Sequence, residues 1–510
     1  MDDANQQHAG RKRRWPRVLA AVAGLILLLV AAGWLYNLHW QHKVDALLAS
    51  YRAKGEPVTW EEVLTARNKL PAEQNSALIF QGAFSQLEAQ DSSAADALDS
   101  LLNADEPGAR PCQRTTELLR AHIKDQAPVL AVIRKGAALQ TGFYPVNSAA
   151  DPYYYSLPYL SPLQTAVRLC CREAELRAQD GDGAGAVESL VAARRLSASL
   201  GECWLPVEVL LRISVDAIMG DAIEKSLGLC QFSSEGLARL RKELASGQAE
   251  LSMRAPLLGE RAKLNYSLSM LTTSQGLTPV GIKPTFGTRL TGWVHDHMPG
   301  SRSKDELFCY TMLDRYLAVA DMPLPKQPGS IEELARELAR EGSLHPHQYL
   351  ISARVEPGLR HNMEAEVDAR VQLGLADTAL AVEQWRIKHG RWPDSLDELV
   401  PEELDSMPKD PYSGTSLGYR RTADGATVYS VGPYAGDARG VGDRERWGEP
   451  GEVAFRLLNP ELRGAAQMSF TDEALKSYLT LRDLKALGVT ADELKAAGVD
   501  PARLQPEAPH

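Results

Sequence analysis

Two pairs of histidines are the first residues whose type and spacing suggest chemistry. His295 and His297 are two positions apart, and so are His345 and His347. Each pair offers two imidazole ligands to a metal such as zinc, but a zinc site needs at least a third protein ligand. The sequence does not identify that third ligand, so we expect both pairs to be solvated loop histidines.

A short serine motif is the second candidate. Residues 414–418 read Gly-Thr-Ser-Leu-Gly, the G-x-S-x-G string of a nucleophile elbow with Ser416 as the nucleophile. An elbow requires a strand before the string and a helix after it. Here Pro411 precedes the string and β-like residues follow, so Ser416 is predicted to lie in a turn. The sequence contains no HExxH, Walker A or GxGxxG motif.

An apolar run near the N-terminus determines on which side of a membrane the rest of the chain is expected to lie. Residues 18–40 contain no Asp, Glu, Lys or Arg, and a bilayer core about 30 Å thick needs about 20 such residues. Five Arg or Lys residues precede it within 1–17. The sequence therefore predicts one transmembrane helix in the lipid bilayer of the inner membrane, with a cytoplasmic N-terminus and a periplasmic or other extracytoplasmic bulk. A signal peptide cleaved near residues 30–32 is the alternative.

Because the bulk of the chain is predicted to be exported, its cysteines would lie in a compartment where disulfides can form. No CxxC pair occurs, and the spacing fits no zinc pattern. We expect small buried thiols, with a disulfide between Cys203 and Cys230 as the alternative. The six cysteines are Cys112, Cys170, Cys171, Cys203, Cys230 and Cys309.

Charge and composition limit the classes of partner. The net charge is −10, and the basic N-terminus leaves the remaining chain more acidic still. Nucleic-acid binding needs clustered Lys and Arg, so no nucleic acid is expected as a partner. A chain rich in Ala and Leu favours helices. The predicted fold class is therefore mainly α, with a multi-helix extracytoplasmic body over residues 41–321.

Local signals organise that body. Thr59 and Glu62 form a capping box, and the Gly-rich turn at 180–183 is predicted to join two amphipathic helices in an αα-hairpin. Residues 90–111 and 272–304 are predicted to be loops. The Pro- and Tyr-rich segment Tyr144 to Leu163 is predicted to pack over a helical layer, with a ligand-stacking surface as the alternative.

A linker and a small module follow the body. Residues 322–360 are predicted to hold a proline-containing linker, over 322–330, and a helix capped by Ser330 and Glu333. Residues 361–458 are predicted to be an α+β module, and residues 459–510 a helical tail. The tail contains two short helices, which suit either a docking element or packing on the body.

The module begins with a long helix from about His361. Gly390 ends this helix because glycine accepts the left-handed conformation of a C-cap. Ser395 and Glu398 are predicted to cap a short helix after Pro393. Three strands follow, and residues 423–425 form the hairpin turn between the first two.

This module resembles the C-terminal half of the type II secretion major pseudopilins over about residues 365–458. The resemblance implies a helical stem packed against a small sheet, in a bacterial cell-envelope protein. The rest of the chain resembles uncharacterised bacterial membrane-anchored proteins that carry the same module. The matching residues are Trp385, His389, Gly390, Trp392, Pro393, Leu396, Leu399, Pro401, Pro408, Asp410, Pro411, Gly414, Tyr419 and Tyr429 to Pro433.

The same resemblance implies a calcium site. In that family an acidic loop that follows the strand matched here by Tyr429 to Pro433 binds calcium. The oxygen donors here would be Asp437, Asp443, Glu445 and Glu449. Three arginines are interspersed in the loop and repel a cation. A solvated loop with Arg–carboxylate pairs is therefore the alternative, and no other cofactor is expected.

Three functions follow from these patterns. We expect a non-enzymatic, membrane-anchored envelope protein with a scaffold or protein-interaction role, related to type II secretion-like machinery and contacting other envelope proteins. A second hypothesis is an anchored periplasmic hydrolase with its site near the 272–304 loop. A third is an atypical pseudopilin-like secretion subunit, although the chain lacks a prepilin-peptidase site and the glutamate inside the apolar helix.

Overall fold

The structure is a computed structural model of the 510-residue chain. It is mainly helical, as predicted, with a small antiparallel sheet and a separate pair of two-residue strands. The chain divides into two compact units. The structure describes residues 15–67, 70–88, 93–103, 107–146, 157–270, 298–344, 351–433, 453–470, 473, 479–490 and 494.

The helices begin and end at the following residues. In chain order they are α1 Trp15–Ala53, α2 Trp60–Arg67, α3 Ser76–Glu88, α4 Ser93–Asn103, α5 Gln113–Asp125, α6 Ala127–Ala137, α7 Leu160–Gln179, α8 Gly183–Ala198, α9 Pro206–Leu229, α10 Ser234–Glu250, α11 Arg254–Met270, α12 Ser301–Ala320, α13 Gln327–Leu344, α14 Ser352–His389 and α15 Leu481–Ala486. The strands are β1 Ala109–Arg110, β2 Gly418–Thr422, β3 Gly425–Ser430, β4 Val453–Leu458 and β5 Ala466–Gln467.

The first unit comprises residues 1–63, 257–318 and 332–361. Its core is built around the second half of α1, where Val44 and Tyr51 are buried, and around α12, where Tyr310 and Tyr316 are buried. The predicted capping box at the start of α2 is confirmed. Glu62 accepts a hydrogen bond from the Thr59 backbone N–H at 3.0 Å, and Thr59 Oγ1 accepts one from the Glu62 N–H at 3.3 Å.

The second unit comprises residues 64–256, 319–331 and 362–510. Helices α7 and α8 form the predicted αα-hairpin, and α9 packs against both. Asp182 caps α8 by accepting a hydrogen bond from the Gly185 N–H at 2.9 Å. The two helices are held together because their apolar positions are buried against each other, with Leu163 and Cys170 on α7 and Leu190 on α8 nearly inaccessible.

Two predicted loops contain helix. Helix α4 lies within 90–111 because its leucines and alanines recur at helical spacing and are buried. Helix α12 begins at Ser301, so residues 301–304 of the predicted 272–304 loop are helical, whereas 271–297 lie outside the described residues.

Two predicted helix starts were also wrong. Helix α13 begins at Gln327, which places Ser330 inside the helix instead of at its cap. Helix α14 begins at Ser352 and carries Pro357 internally. Its apolar face continues through Leu359 and Met363, both buried, and this burial outweighs the hydrogen bond lost at proline.

The end of α14 and the sheet follow the prediction closely. Gly390 has φ +71°, the left-handed conformation expected of the C-cap. Strands β2, β3 and β4 form an antiparallel sheet in that order, and residues 423–424 make the predicted hairpin turn. At Gly425, φ is +152°, and an added Cβ would lie 1.9 Å from the Leu457 carbonyl oxygen. Only glycine fits there.

The short capped helix after Pro393 differs from the prediction. Residues Leu396–Leu399 form a 3₁₀ turn, and the Ser395 side chain does not cap it. Instead, Glu398 Oε1 accepts a hydrogen bond from the Asp394 N–H at 2.7 Å. The Glu398 backbone N–H, which the serine side chain was expected to reach, donates to the Ser395 carbonyl oxygen at 3.3 Å.

The described part of the C-terminal tail packs on the helices of the second unit. Leu484 and Leu494 are fully buried in a cluster with residues of α4, α5 and α7, among them Leu101. Strand β5 pairs with β1 in parallel. Of the two predicted roles for this segment, packing on the body is therefore the observed one.

Candidate functional site

The first half of α1 exposes its apolar side chains. Leu28 is 70% exposed, and the large apolar residues from Val18 to Leu35 that flank it are exposed as well, whereas Val44 in the second half is fully buried. Exposed apolar surface of this extent is unfavourable in water. This helix is long and apolar enough to cross a membrane.

A cluster of aromatic rings and lysines lies where the exposed run ends. The Lys43 ammonium is 4.2 Å from the centre of the Trp40 ring, and the Lys304 ammonium, from α12, is 5.0 Å from it. Lys304 also lies 5.1 Å from the Tyr36 ring. Such contacts are cation–π interactions, and Trp, Tyr and Lys are the residues typical of a membrane–water interface.

Beyond this cluster α1 is fixed to the first unit by a buried arginine. Arg261 is fully buried and its guanidinium lies 3.7 Å from the centre of the Tyr51 ring. It pairs with Glu56 at 2.8 Å and with Asp314 at 3.5 Å. The Tyr51 hydroxyl donates to Asp314 at 2.8 Å, and burial followed by this contact raises the pKa of Tyr51. The tyrosine therefore stays protonated and keeps its hydrogen bond.

The second unit contains a buried carboxylate–arginine pair. The side chains of Arg67 and Glu208 are 3% and 0% exposed. Arg67 Nη1 donates to Glu208 Oε2 at 2.6 Å, and its Nη2 donates to Oε1. The Tyr159 hydroxyl donates to the same oxygen, and its ring stacks on Tyr144 at 4.3 Å between centres.

Both carboxylate oxygens of Glu208 accept hydrogen bonds from more than one donor. The backbone N–H groups of Trp204 and Leu205 donate to Oε2 at 3.3 Å each. Burial, and then the Glu208 charge, raises the pKa of Tyr159. The two oxygens of this carboxylate thus accept hydrogen bonds from a guanidinium, a phenol and two backbone amides. Its role is therefore to join α2, α7 and α9.

A second buried pair joins the long helix to the chain after the sheet. Glu383 on α14 is fully buried and accepts hydrogen bonds from Arg386 at 2.8 Å and from Arg463 at 2.9 Å. Burial would raise the pKa of Glu383, but the two arginines outweigh it and lower the pKa below its ordinary value. The carboxylate is therefore held ionised.

The proposed ligand residues fall outside the described part of the chain. The implied calcium donors Asp437, Asp443, Glu445 and Glu449 lie in 434–452, and both histidine pairs lie in 271–297 and 345–350, all outside the described residues. Within the described ranges no three His, Cys, Asp or Glu side chains are grouped as a metal site.

Ser416 lies in an exposed turn, as predicted. It forms an isolated bridge with Lys409 and is followed by β2 instead of the helix that a nucleophile elbow requires. In the Tyr-rich segment, Tyr144 and Tyr159 are buried and stacked in the core, which confirms packing for these two. Residues 147–156 lie outside the described residues.

All six cysteines are free thiols. Five are buried, as predicted, and Cys230 is partly exposed. The alternative disulfide between Cys203 and Cys230 is not formed. Burial raises the pKa of Cys203 to about 12 and that of Cys230 to about 11, so both thiols stay protonated at neutral pH.

Sequence reasoning missed the partners of these charged groups. Lys304 follows Trp40 by 264 positions, and Glu208 follows Arg67 by 141. The only available signal was local: Glu208 lies in the otherwise apolar start of α9, where a charge must be paired if it is buried.

Comparisons of the chain with models of protein families, with curated proteins and with solved structures find no match. The class of protein is therefore defined by the fold: a mainly helical chain with one N-terminal helix that is long and apolar enough to cross a membrane.

Proposed function

We propose that this chain is a single-pass, membrane-anchored protein of the bacterial envelope with a non-catalytic, protein-contact role. Residues 18–40 span the inner membrane, the N-terminus is cytoplasmic, and the helical units and the sheet are periplasmic. The basic residues before the apolar run support this orientation, since positive charge is retained on the cytoplasmic side.

The observation that carries the proposal is the exposure of the apolar half of α1. Its large apolar side chains are exposed, as the 70% exposure of Leu28 illustrates, and lipid is the solvent that makes such a surface favourable. The change to burial at Val44 supports an end of the span before that residue.

The C-terminal part supports the contact role. A long helix that ends at a left-handed glycine and is followed by an antiparallel sheet fits the resemblance to pseudopilins, which are assembly proteins. The hairpin between β2 and β3 exposes residues 421–424. This tip is the contact surface that we propose for another envelope protein.

Fractionation of the full-length protein in bacterial cells tests the anchor. The protein should stay with the membranes in alkaline carbonate, and protease added to spheroplasts should remove a C-terminal tag. A shorter, carbonate-soluble product would mean a cleaved signal peptide, and a protected tag would mean the opposite orientation. Either result contradicts the proposal.

Photo-crosslinking from the full-length chain tests the contact role. A crosslinkable residue at Arg421 or Thr422 should give an adduct of discrete mass in cells. The same residue at Lys124 or Glu235, which are exposed on helices α5 and α10, is the matched control. Equal adducts from all four positions, or none from the hairpin, would remove the support for this contact surface.

A further inference from the structure

Helices α1 and α12 run side by side in the same direction. An added Cβ at Gly33 would lie 2.9 Å from Pro299 Cγ, and one at Gly300 would lie 2.8 Å from the Tyr36 ring. Further along, Ser303 donates to Gln41 at 3.2 Å. The contacts continue to Tyr51 and Asp314, so the start of α12 is its end nearest to the exposed apolar run.

This register places the turn at residues 298–300 beside the apolar run. Gly33 precedes Trp40 by seven residues, which is about 10 Å along a helix. Pro299 therefore lies at the level of side chains that face lipid in the proposed span. Met298, next to it, is an apolar residue with 50% of its surface exposed.

Two lysines lie above this turn without a carboxylate partner. Among the described residues no Asp or Glu is paired with Lys43 or Lys304, although the chain is acidic overall. Both ammonium groups lie over Trp40 instead. Two adjacent cations at the level of the head groups suit the phosphates of anionic lipids.

We propose that the 298–300 turn and these two lysines form a second membrane contact, which docks the first unit onto the bilayer surface. Met298 and Pro299 enter the boundary between head groups and acyl chains, and Lys43 and Lys304 bind phosphates of anionic phospholipids. The contact rests on the proposed membrane anchor, because α1 sets the depth of the turn.

Depth-dependent quenching tests this contact. The full-length chain carries a nitrobenzoxadiazole fluorophore on a cysteine introduced as Met298→Cys, Leu28→Cys or Ala318→Cys, in vesicles of phosphatidylcholine and phosphatidylglycerol that contain nitroxide-labelled lipid. The chain without an introduced cysteine gives the background from Cys230, the one partly exposed thiol. Ala318 is exposed on α12, about 27 Å beyond Gly300.

We expect quenching at positions 28 and 298 and little quenching at 318. Quenching at 28 but not at 298 would overturn the docking contact and leave the anchor intact. No quenching at 28 would overturn the anchor, and the docking contact with it.

The lysines are tested by the double variant Lys43→Gln, Lys304→Gln. Each lysine near an anionic surface strengthens binding about fivefold, so the ratio of docked to undocked turn should fall roughly 25-fold when both are removed. The loss should disappear in vesicles of phosphatidylcholine alone. The matched control is Lys124→Gln, Lys242→Gln, two exposed lysines elsewhere. Equal quenching of position 298 in both double variants would overturn the phosphate contact.

Discussion

Helices α1 and α9 are both long and rich in apolar residues, yet they differ in whether charged side chains occur among those residues. The run at 18–40 in α1 has no charged side chain and exposes its apolar ones. Helix α9 carries Glu208, Arg212, Asp216 and Glu224, and all four are buried. A helix surrounded by protein can hold a buried charge where the fold supplies a partner, as Arg67 does for Glu208, whereas lipid supplies none.

The largest effect should come from placing charge in the uncharged 18–40 run of α1. The double variant Leu27→Arg, Leu28→Arg costs about 5–7 kcal/mol of insertion, at roughly 2.5–3.5 kcal/mol per arginine. The protein should therefore appear in the carbonate-soluble fraction. Leu462→Arg, at a partly exposed position of the second unit, is the control and should stay with the membranes. Retention of the α1 variant would show that α1 does not span the bilayer.

The second largest effect should come from removing Glu208, the buried residue of α9 that pairs with Arg67. Glu208→Ala leaves the Arg67 guanidinium buried and unpaired, which should lower the free energy of unfolding by about 3–5 kcal/mol. Asp180→Ala breaks the exposed pair with Arg120 and should cost less than about 1 kcal/mol. Urea unfolding of the detergent-solubilised chain measures both. Equal costs would mean that burial of the Arg67–Glu208 pair has no energetic consequence.

A smaller, pH-dependent effect should come from Glu366 on α14. Burial raises the pKa of Glu366 to about 7, although Arg370 opposes the shift at 3.2 Å. The folded state therefore holds the proton more tightly than the unfolded state, whose pKa is near 4.5. The contribution of Glu366 to stability is full below pH 4.5 and is lost as the pH rises through 7.

Glu366→Gln should therefore stabilise the protein at pH 8, by up to about 3 kcal/mol, and have little effect at pH 4.5. Thermal unfolding at the two pH values measures the difference. Glu364→Gln, at an exposed position on the same helix, is the control and should shift stability little at either pH. A gain that is equal at both pH values would contradict the raised pKa.

Features set by neighbouring residues were predictable from the sequence. The apolar run, the Thr59–Glu62 box, the Asp182 turn and the left-handed Gly390 each depend on a few adjacent residues. Helix starts were predicted less well, because burial of distant partners extends α14 through Pro357. Local patterns therefore predict the residue at which a helix ends more reliably than the number of residues that packing adds at its start.

The candidate sites depended on distant residues, and most were not predictable. Nothing in the sequence near Arg67 points to Glu208, and nothing near Trp40 points to Lys304. These contacts form because the fold brings separate helices together, and a buried charge such as that of Arg67 needs a partner.

The uninterrupted length of α1 has a mechanical consequence. The helix runs 39 residues without a break, and the Tyr51–Asp314 hydrogen bond fixes its far end to the first unit. A membrane helix tilts when its apolar length exceeds the local bilayer thickness. If α1 spans the bilayer as proposed, a change in bilayer thickness that tilts this continuous helix would tilt the first unit with it.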